Sequence, residues 1–302
     1  MSKKRESHLK ELESKSIYIL REAFHHVSNL GMLWSMGKDS TVLVHLCKKA
    51  FFGHLPFPLI HIDTSFKIPK MIEYRDQMIK KWKATLIVGQ NEKALKEKKT
   101  YPDGAVSCLE CCKSLKTEAL RMILKEDKKE KTSGYIFNHE TEKYESNTEY
   151  LSFNGLISGI RADEEGSRSK ERYFSVRGTT GKWTIEDQPP EFWSQFNTEI
   201  PFNTHLRIHP LLDWTELDIW VYIQKENIPV IDLYFDQGKG KRFRSIGCYP
   251  CTYAIESTAS SVEDIIKELT SEKLAKIAER SGRAQDKEDG GGLEFLRQGG
   301  YM

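Results

Sequence analysis

The stretch GMLWSMGKDSTVLVHLCKKA, residues 31–50, decides the predicted fold. Residues 31–35 predict a short buried strand, which Gly37 and Lys38 end. Along residues 39–50 the apolar side chains recur at the spacing of one helix face. A buried strand that passes through a short polar turn into a helix is typical of α/β proteins with a parallel sheet.

The same alternation of strands and helices continues along the chain. Helical spacing opens the chain, and Thr215 with Asp218 is expected to cap a late helix. Between them the predicted elements lie at residues 58–63 (strand), 68–82 (helix), 85–89 (strand), 112–125 (helix) and 155–160 (strand). The pattern predicts an α/β fold with a Rossmann-like, doubly wound parallel sheet.

The composition is that of a globular protein. The chain has 302 residues, of which 38% are hydrophobic and 30% charged, and its formal net charge is only +2. This charge gives no reason to expect strong binding of nucleic acid by the chain alone. No apolar run approaches the length of a membrane span, and the charged N-terminus lacks the core of a signal peptide. We therefore expect a cytoplasmic protein with reduced thiols and no membrane partner.

Changes in composition suggest two parts. Residues 1–230 are predicted to form the main domain, interrupted by a charged and exposed insertion at residues 126–150. Residues 231–302 are predicted to form a C-terminal extension that ends in a flexible tail after Gly290.

The turn SMGKDS, residues 35–40, carries the chemistry of an anion site. Gly37 allows a tight turn and a close approach of the backbone to a phosphate. A helix that starts near Asp39 directs unpaired N–H groups and a positive dipole end at an anion. Lys38 adds a charge, and the serines at both ends of the turn add hydroxyl donors. The spacing is not that of a Walker A loop. The alternative is an ordinary capped turn.

With its neighbours included, the sequence resembles the adenine-nucleotide α-hydrolase superfamily. The resemblance is to the branch of phosphoadenylylsulfate reductases and the small subunit of bacterial sulfate adenylyltransferase. It is carried, in order, by the opening helix and by LWSMGKDSTVLVHL, FPLIHIDTSFKIPKMIEYRD, SGIRADEEGSRSKER, RIHPLLDWTELDIWVYIQKENIPV and the ending RQGGYM. The resemblance implies a loop that holds the pyrophosphate of ATP, called a PP-loop, in an ATP pyrophosphatase domain.

The resemblance also implies which residues bind ATP and Mg²⁺. The nucleotide is expected at Ser35, Met36, Gly37, Lys38, Asp39, Ser40, Asp63, Thr64, Gly159 and Arg161. Catalysis is expected from Lys38, Asp39, Arg161 and Arg168, which place charge near the phosphates. Residues 163–165 are acidic and could hold Mg²⁺. The alternative for each arginine is a solvated ion pair with these acidic residues.

The cysteines fall into two clusters. Cys108 and Cys111 form one C-x-x-C pair and Cys248 and Cys251 another, which is a recognised pattern for zinc or an iron–sulfur cluster. Iron–sulfur adenylylsulfate reductases carry an adjacent cysteine pair and a distant C-x-x-C. This resemblance implies a [4Fe–4S] cluster on Cys111, Cys112, Cys248 and Cys251, with zinc and Cys108 as the alternative. Metal-free thiols remain a third interpretation.

Three functions compete. The preferred hypothesis is an ATP pyrophosphatase that adenylylates an oxyanion acceptor for sulfur transfer in DNA phosphorothioation. It would need a sulfur-donating cysteine desulfurase and other DNA-modification proteins, with DNA bound through the complex. The alternative is the small subunit of sulfate adenylyltransferase, with a GTPase large subunit. A reductase is a further alternative, although the chain has no cysteine after Cys251 to match the reductases' Glu-Cys-Gly motif. A non-enzymatic binding module is disfavoured because the loop residues are intact.

Overall fold

Strand β1 (Leu30–Leu33) lies inside an eight-stranded sheet, and helix α2 (Lys38–Ala50) follows it after a turn of four residues. The computed structural model describes residues 3–104, 106–124, 134–146, 153–164, 166–178, 188, 190–191, 196–200, 204–271, 274 and 279. The strand, turn and helix predicted from residues 31–50 are therefore present, with ends shifted by a residue.

The other elements follow in chain order. Helices besides α2 are α1 (Lys3–His26), α3 (Pro69–Trp82), α4 (Glu92–Lys96), α5 (Cys108–Cys112), α6 (Ala119–Leu124), α7 (Glu216–Glu226) and α8 (Val262–Leu269). Strands besides β1 are β2 (Leu59–Ile62), β3 (Leu86–Gly89), β4 (Gly134–Asn138), β5 (Lys143–Ser146), β6 (Gly155–Ile157), β7 (Phe174–Arg177), β8 (His205–Ile208), β9 (Lys241–Arg242) and β10 (Ile255–Glu256). A π-helical segment, Lys113–Glu118, joins α5 to α6.

The large sheet has the strand order β5-β4-β3-β2-β1-β6-β8-β7. Strands β3, β2, β1, β6 and β8 are parallel to one another, whereas β4, β5 and β7 run antiparallel to their neighbours. The chain moves outward from β1 through β2 and β3, and then crosses to β6 on the other side of β1. The doubly wound α/β fold is therefore confirmed, and a crevice for a ligand is expected where the carboxyl ends of β1 and β6 diverge.

Successive residues of the parallel strands pack on opposite faces of the sheet. Leu59 joins a large cluster that also contains apolar residues of α1, α2, α3 and α7. Ile60, the next residue, joins a smaller cluster with Leu120 and Ile123 of α6. This is the period-two alternation of a strand covered on both sides. Among the described residues, none of the helices has the length and apolar character needed to cross a bilayer.

The charged insertion includes an ordered hairpin. Strands β4 and β5 extend the sheet by antiparallel pairing onto β3. Phe137 is buried in the large core cluster, and Ile136 packs on the opposite face. The Lys- and Glu-rich neighbours of this short segment hid the strand pattern in the sequence. The rest of residues 126–150 lies outside the described residues.

The C-terminal extension shares the main core. Helix α8 packs against α7, and Ile265 is fully buried in the large cluster. Strands β9 and β10 form a small antiparallel sheet, in which Arg242 is buried and donates hydrogen bonds to Glu268 and Ser257. The tail expected after Gly290 lies outside the described residues.

Candidate functional site

A cavity of about 210 Å³ opens at the carboxyl ends of β1, β2 and β6. Its polar part is lined by the turn after β1, the start of α2, the segment after β6 and the C-terminal part of the chain. These polar lining residues include Ser35, Gly37, Lys38, Asp39, Ser40, Lys67, Lys116, Ser158, Gly159, Glu164, Arg168 and Glu279. Leu33, Ile60, Ile62 and Leu120 form an apolar side. A cavity with one apolar side and one charged side suits a ligand with a flat ring and anionic groups.

The turn between β1 and α2 has an unusual backbone. Met36 has φ 62°, in the left-handed region that favours glycine, although its side chain is buried. Gly37 precedes the first turn of α2 and provides no side-chain cap. Instead, the backbone N–H of Lys38 donates to the hydroxyl of Tyr234, at 2.8 Å. The start of α2 is therefore held by a residue that is distant in sequence.

Two buried cations meet carboxylates beside this turn. Lys38 is 1% exposed and its Nζ contacts Glu279, with Asp39 at 3.4 Å. The Arg161 guanidinium, fully buried, contacts Asp39, Glu279 and Asp163. Each oxygen of the Glu279 carboxylate accepts from a different cation, Oε1 from Lys38 and Oε2 from Arg161. The ion pairs thus form one connected network.

The network favours the charged forms of Lys38, Arg161 and Glu279, whereas burial raises the pKa of Asp39. Burial disfavours the charged form of Lys38, but the Asp39 and Glu279 carboxylates outweigh burial and raise its pKa above the ordinary value. Burial opposes the charge of Glu279 as well, yet Arg161 and Lys38 lower its pKa well below the usual range. Lys38 and Arg161 would therefore stay positively charged throughout the neutral pH range.

The segment after β6 lies directly against the start of α2. A Cβ added at Gly159 would be 3.1 Å from the backbone nitrogen of Ser40 and 3.2 Å from the carbonyl carbon of Asp39. Glycine is thus favoured here, because any larger residue would press on the backbone of α2 at close range. Nearby, Arg168 forms an ion pair with Glu164 and lines the cavity. Of the acidic residues 163–165 expected to hold Mg²⁺, Glu165 lies outside the described residues.

The five cysteines outside α2 lie together. Cys108, Cys248 and Cys251 belong to one buried cluster, and the sulfurs of Cys108 and Cys251 are 3.4 Å apart. Cys111 and Cys112 line a second, smaller cavity together with Cys248 and Cys251. The two C-x-x-C pairs, which are distant in sequence, therefore meet in space. Cys47 is buried apart from them in α2.

Basic and hydroxyl groups surround the thiols. The Lys116 Nζ donates to the Cys112 sulfur at 3.3 Å, and Thr64 Oγ1 lies 3.1 Å from the Cys248 sulfur. Burial disfavours the Cys248 thiolate, but the nearby charges of Lys116 and Lys67 outweigh burial and lower its pKa. Burial raises the pKa of Cys111 to about 11. Lys116 lines both cavities, so the cysteine cluster adjoins the larger cavity.

The thiols suit a soft metal ion, but their packing leaves little room. The small cavity measures about 10 Å³, close to the volume of one water-sized sphere. A four-iron cluster would require the sulfurs to move apart. The Cys108–Cys251 distance of 3.4 Å is nearer to the edge of a zinc–thiolate tetrahedron, about 3.8 Å for Zn–S bonds of about 2.3 Å. Even so, no three His, Cys, Asp or Glu side chains in the described part of the chain are arranged to hold a metal ion.

The sequence of this chain matches a known protein family over most of its length. A model of the phosphoadenosine phosphosulfate reductase domain matches residues 29–254. The chain belongs to this family. Sulfate adenylyltransferase subunit 2 of Geotalea uraniireducens (strain Rf4) is 37% identical over 98% of this chain and 98% of its own length. The same subunit of Acinetobacter baylyi is 37% identical over 100% of this chain and 99% of its own. The predicted membership of the PP-loop superfamily is confirmed, and this chain is an adenylyl-transfer enzyme.

Solved structures agree on the fold. Phosphoadenylyl-sulfate reductase from Candida auris, in a phosphate complex, has a TM-score of 0.51 and 17% identity, covering 84% of this chain and 98% of its own. Yeast FAD synthetase in complex with FAD has a TM-score of 0.50 and 18% identity, covering 94% of this chain and 92% of its own. At these identities the likeness shows the fold of the family alone.

Most of the residues predicted to bind ATP lie at the larger cavity. Those that line it are Ser35, Gly37, Lys38, Asp39, Ser40 and Gly159, and Arg168, which was predicted to act in catalysis, lines it as well. Arg161 lies behind them and reaches the network through Asp39 and Glu279. Met36 is buried in the core. Asp63 accepts a hydrogen bond from the backbone of Ser65, and Thr64 lines the small cysteine cavity instead.

Sequence reasoning missed two residues of this site. Glu279 is one acidic residue among many in a charged segment, and no local pattern distinguishes it. Tyr234 follows a predicted helix without any motif of its own, yet its hydroxyl holds the start of α2. Both reach the turn from the C-terminal part of the chain, where only the three-dimensional fold could reveal the contact.

Proposed function

We propose that the chain transfers the adenylyl group of ATP to sulfate, as the small subunit of a sulfate adenylyltransferase. A sulfate oxygen attacks the α-phosphorus, the bond from this phosphorus to the bridging oxygen breaks, and pyrophosphate leaves with its charge. The observation that carries the proposal is the pair of buried cations, Lys38 and Arg161, at the turn between β1 and α2. The name of the full-length relatives supports sulfate as the acceptor.

The residues would act through charge and position. Lys38 and the start of α2 would hold the β- and γ-phosphates, where negative charge grows as pyrophosphate leaves. Ser35 and Ser40 can donate hydroxyl hydrogens, and Gly159 lets the segment after β6 approach the same turn. Adenylyl transfer needs no protein nucleophile, since orientation and charge stabilisation supply much of its acceleration. Mg²⁺ would enter with the phosphates and neutralise part of their charge.

Arg161 and Arg168 would have different tasks. Arg161 is enclosed by Asp39, Asp163 and Glu279, so it fixes the position of Asp39 and adds charge from behind the loop. Arg168 lines the cavity and is paired with Glu164. It is the arginine that a phosphate or acceptor oxyanion in the cavity could contact directly. Neutralising Arg168 should therefore weaken ligand binding, and it should also lower stability, because Arg168 is buried and its loss leaves Glu164 without this partner.

Sulfate activation replaces DNA phosphorothioation as the preferred function. The full-length relatives carry the name of sulfate adenylyltransferase subunit 2, which implies a partner subunit. The resemblance seen in the sequence suggests that this partner is a GTPase. A role in sulfur transfer remains the second candidate, because the cysteine cluster adjoins the larger cavity through Lys116. In that case a desulfurase and DNA-modification proteins would be the partners.

An acceptor assay separates the two candidates. Pyrophosphate release would be followed with ATP and Mg²⁺ in the presence of the partner subunit and GTP, with sulfate, without acceptor, or with DNA and a persulfide donor. We expect release that depends on sulfate. Release that requires DNA and persulfide, and that sulfate does not support, would reject sulfate activation in favour of sulfur transfer.

We also propose that the clustered cysteines hold a metal. The sequence resemblance favours a [4Fe–4S] cluster on Cys111, Cys112, Cys248 and Cys251. The 3.4 Å separation of the Cys108 and Cys251 sulfurs favours a single zinc ion with Cys108 among its ligands. When bound, either group would join the C-terminal extension to α5. Grouped thiolates repel one another unless a soft cation is present.

Metal analysis of anaerobically purified protein tests this assignment. A four-iron cluster predicts brown protein with iron and acid-labile sulfide, whereas zinc predicts colourless protein with one equivalent of zinc. Replacing Cys248 or Cys251 by Ser should remove either metal, and Cys47→Ser, the buried control in α2, should not. Cys108→Ser should remove zinc and leave the iron cluster. Protein that is active and free of both metals would reject the metal site.

A further inference from the structure

Glu279 contacts both of the buried cations at the PP-loop. Its carboxylate lies 241 residues from Lys38 and 118 residues from Arg161 along the chain. The side chain of Glu279 is 4% exposed, and it lines the larger cavity beside the turn. This contact is therefore part of the cavity wall and not a surface ion pair.

The two contacts have the form of an anion receptor. One carboxylate oxygen is bound by an ammonium and the other by a guanidinium. Phosphate groups and carboxylates are recognised by the same donors, in the same two-oxygen geometry. Under the proposed function, Lys38 and Arg161 are also the cations that the phosphates of ATP need. Glu279 and the phosphates therefore require the same donors.

The charge balance does not allow all these anions to stay together. Arg161 already faces Asp39, Asp163 and Glu279. A polyphosphate placed beside three carboxylates in a largely buried site would be repelled by each of them. Asp39 is fixed in the first turn of α2, and Asp163 also accepts the backbone N–H of Glu216. Glu279 is the one of these three carboxylates that comes from the C-terminal part of the chain, outside α2 and the segment after β6.

We propose that the Glu279 carboxylate is an internal competitor of ATP, so that the phosphates must displace it from Lys38 and Arg161 to bind. The inference rests on the proposed function, because it takes the PP-loop as the site of the phosphates. The C-terminal part of the chain thereby sets the affinity of the loop for polyphosphate. A partner that engaged this part of the chain would change ATP binding without touching the nucleotide.

Binding of inorganic pyrophosphate, measured by calorimetry with Mg²⁺, tests the competition. In Glu279→Gln both cations lose one of their anionic partners while the side-chain shape is kept. We expect the dissociation constant to fall by about tenfold, as for a protein that is otherwise only about one-tenth in its binding-competent form. Glu263→Gln is the control, since it makes the same charge change on the exposed face of α8. It should leave the dissociation constant unchanged.

Two further variants keep the test decisive. Glu279→Asp retains the charge but shortens the reach to both cations, so it should also tighten pyrophosphate binding, and it serves if the Gln variant does not fold. Lys38→Ala should abolish binding. If Lys38→Ala binds pyrophosphate as the unaltered protein does, the PP-loop is not the phosphate site and the proposed function fails. If Lys38→Ala loses binding while the Glu279 variants bind equally or more weakly, the competition alone is refuted.

Discussion

Helices α2 and α7 begin in opposite ways. The first turn of α7 is capped mainly by its own residues, because Thr215 and Asp218 form a capping box in which each side chain accepts a backbone N–H of the other residue. The Glu216 N–H donates in addition to Asp163, outside the helix. The first turn of α2 follows Gly37, which has no side chain to offer. Its Lys38 N–H donates to Tyr234, 196 residues away. The start of α7 is thus closed largely by its own capping box, whereas the start of α2 is left open by its own residues and is held by a distant one.

The difference separates a structural helix start from a binding one. Both starts carry the positive end of a helix dipole. At α7 the first N–H groups donate to the side chains of Asp218, Thr215 and Asp163, and two of these are carboxylates that face the dipole. At α2 they adjoin a cavity, a buried lysine and a buried arginine. A helix start that its own sequence leaves uncapped, and that cations surround, is the one suited to phosphate.

Loss of Lys38 at the open start of α2 should have the largest effect on activity. Lys38→Ala removes a buried charge beside the expected phosphates, so we expect kcat for pyrophosphate release to fall by about 10²–10³-fold. It also leaves Glu279 with one cation fewer, so thermal unfolding should shift downward. Lys48→Ala, in the last turn of the same helix, is the control and should keep its activity. Equal activity of the two variants would place the phosphates elsewhere.

A methyl group at Gly159 should disturb the open start without changing any charge. The new Cβ would press on the backbone at Asp39 and Ser40. We expect Gly159→Ala to lower the free energy of unfolding by about 1–3 kcal/mol and to lower turnover by about tenfold through misplacement of the loop. Gly166→Ala is the matched control, because a Cβ there has open space. Unfolding by denaturant and steady-state kinetics would measure both effects.

The hydrogen bond between Tyr234 and the start of α2 can be tested by deleting a single hydroxyl group. Tyr234→Phe leaves the Lys38 N–H without its 2.8 Å partner. We expect a loss of about 1–2 kcal/mol in the free energy of unfolding, accompanied by a higher KM for ATP, since the same N–H lies at the loop. Tyr249→Phe, an exposed tyrosine, should change neither quantity. A loss of stability at unchanged KM would show that Tyr234 supports the fold only.

A substitution at the start of α7 should affect the stability of the protein and leave its activity unchanged. Thr215→Ala removes one half of the capping box, and we expect about 1 kcal/mol lower stability with kcat and KM for ATP unchanged. Thr215→Ser, which keeps the hydroxyl, should restore the stability. A change in ATP kinetics that Ser reverses would mean that α7 also belongs to the phosphate site, and the contrast between the two helices would not hold.

Both helix starts could be predicted from the sequence. Of the groups that hold them, the capping box of α7 could be predicted, but the residues that contact Lys38 at the start of α2 could not. The Thr215–Asp218 box is local, so a spacing of three residues reveals it. The turn at residues 35–40 is also local, and the parallel strands around it follow from buried apolar runs. Tyr234 and Glu279 could not be predicted, because the energies of their contacts with Lys38 depend on the tertiary fold and leave no mark in residue spacing.

The same limit applies to the insertion and the cysteines. Strands β4 and β5 are short, and their charged neighbours obscure the alternation that pairs them with β3. The two C-x-x-C pairs were recognisable by composition, and the structure brings them together. Their spacing does not distinguish an iron–sulfur cluster from a zinc ion, since the choice depends on the distances among the sulfurs and on the space between them.

Identification of the phosphorus-containing products decides whether the open start of α2 serves adenylyl transfer. The complex of this chain with its partner subunit would be incubated with ATP, Mg²⁺, GTP and sulfate, and the products followed by ³¹P NMR. We expect adenylylsulfate and pyrophosphate in equal amounts, and neither from Lys38→Ala. ADP and orthophosphate as the products from ATP would show cleavage at the γ-phosphate and contradict the proposed function.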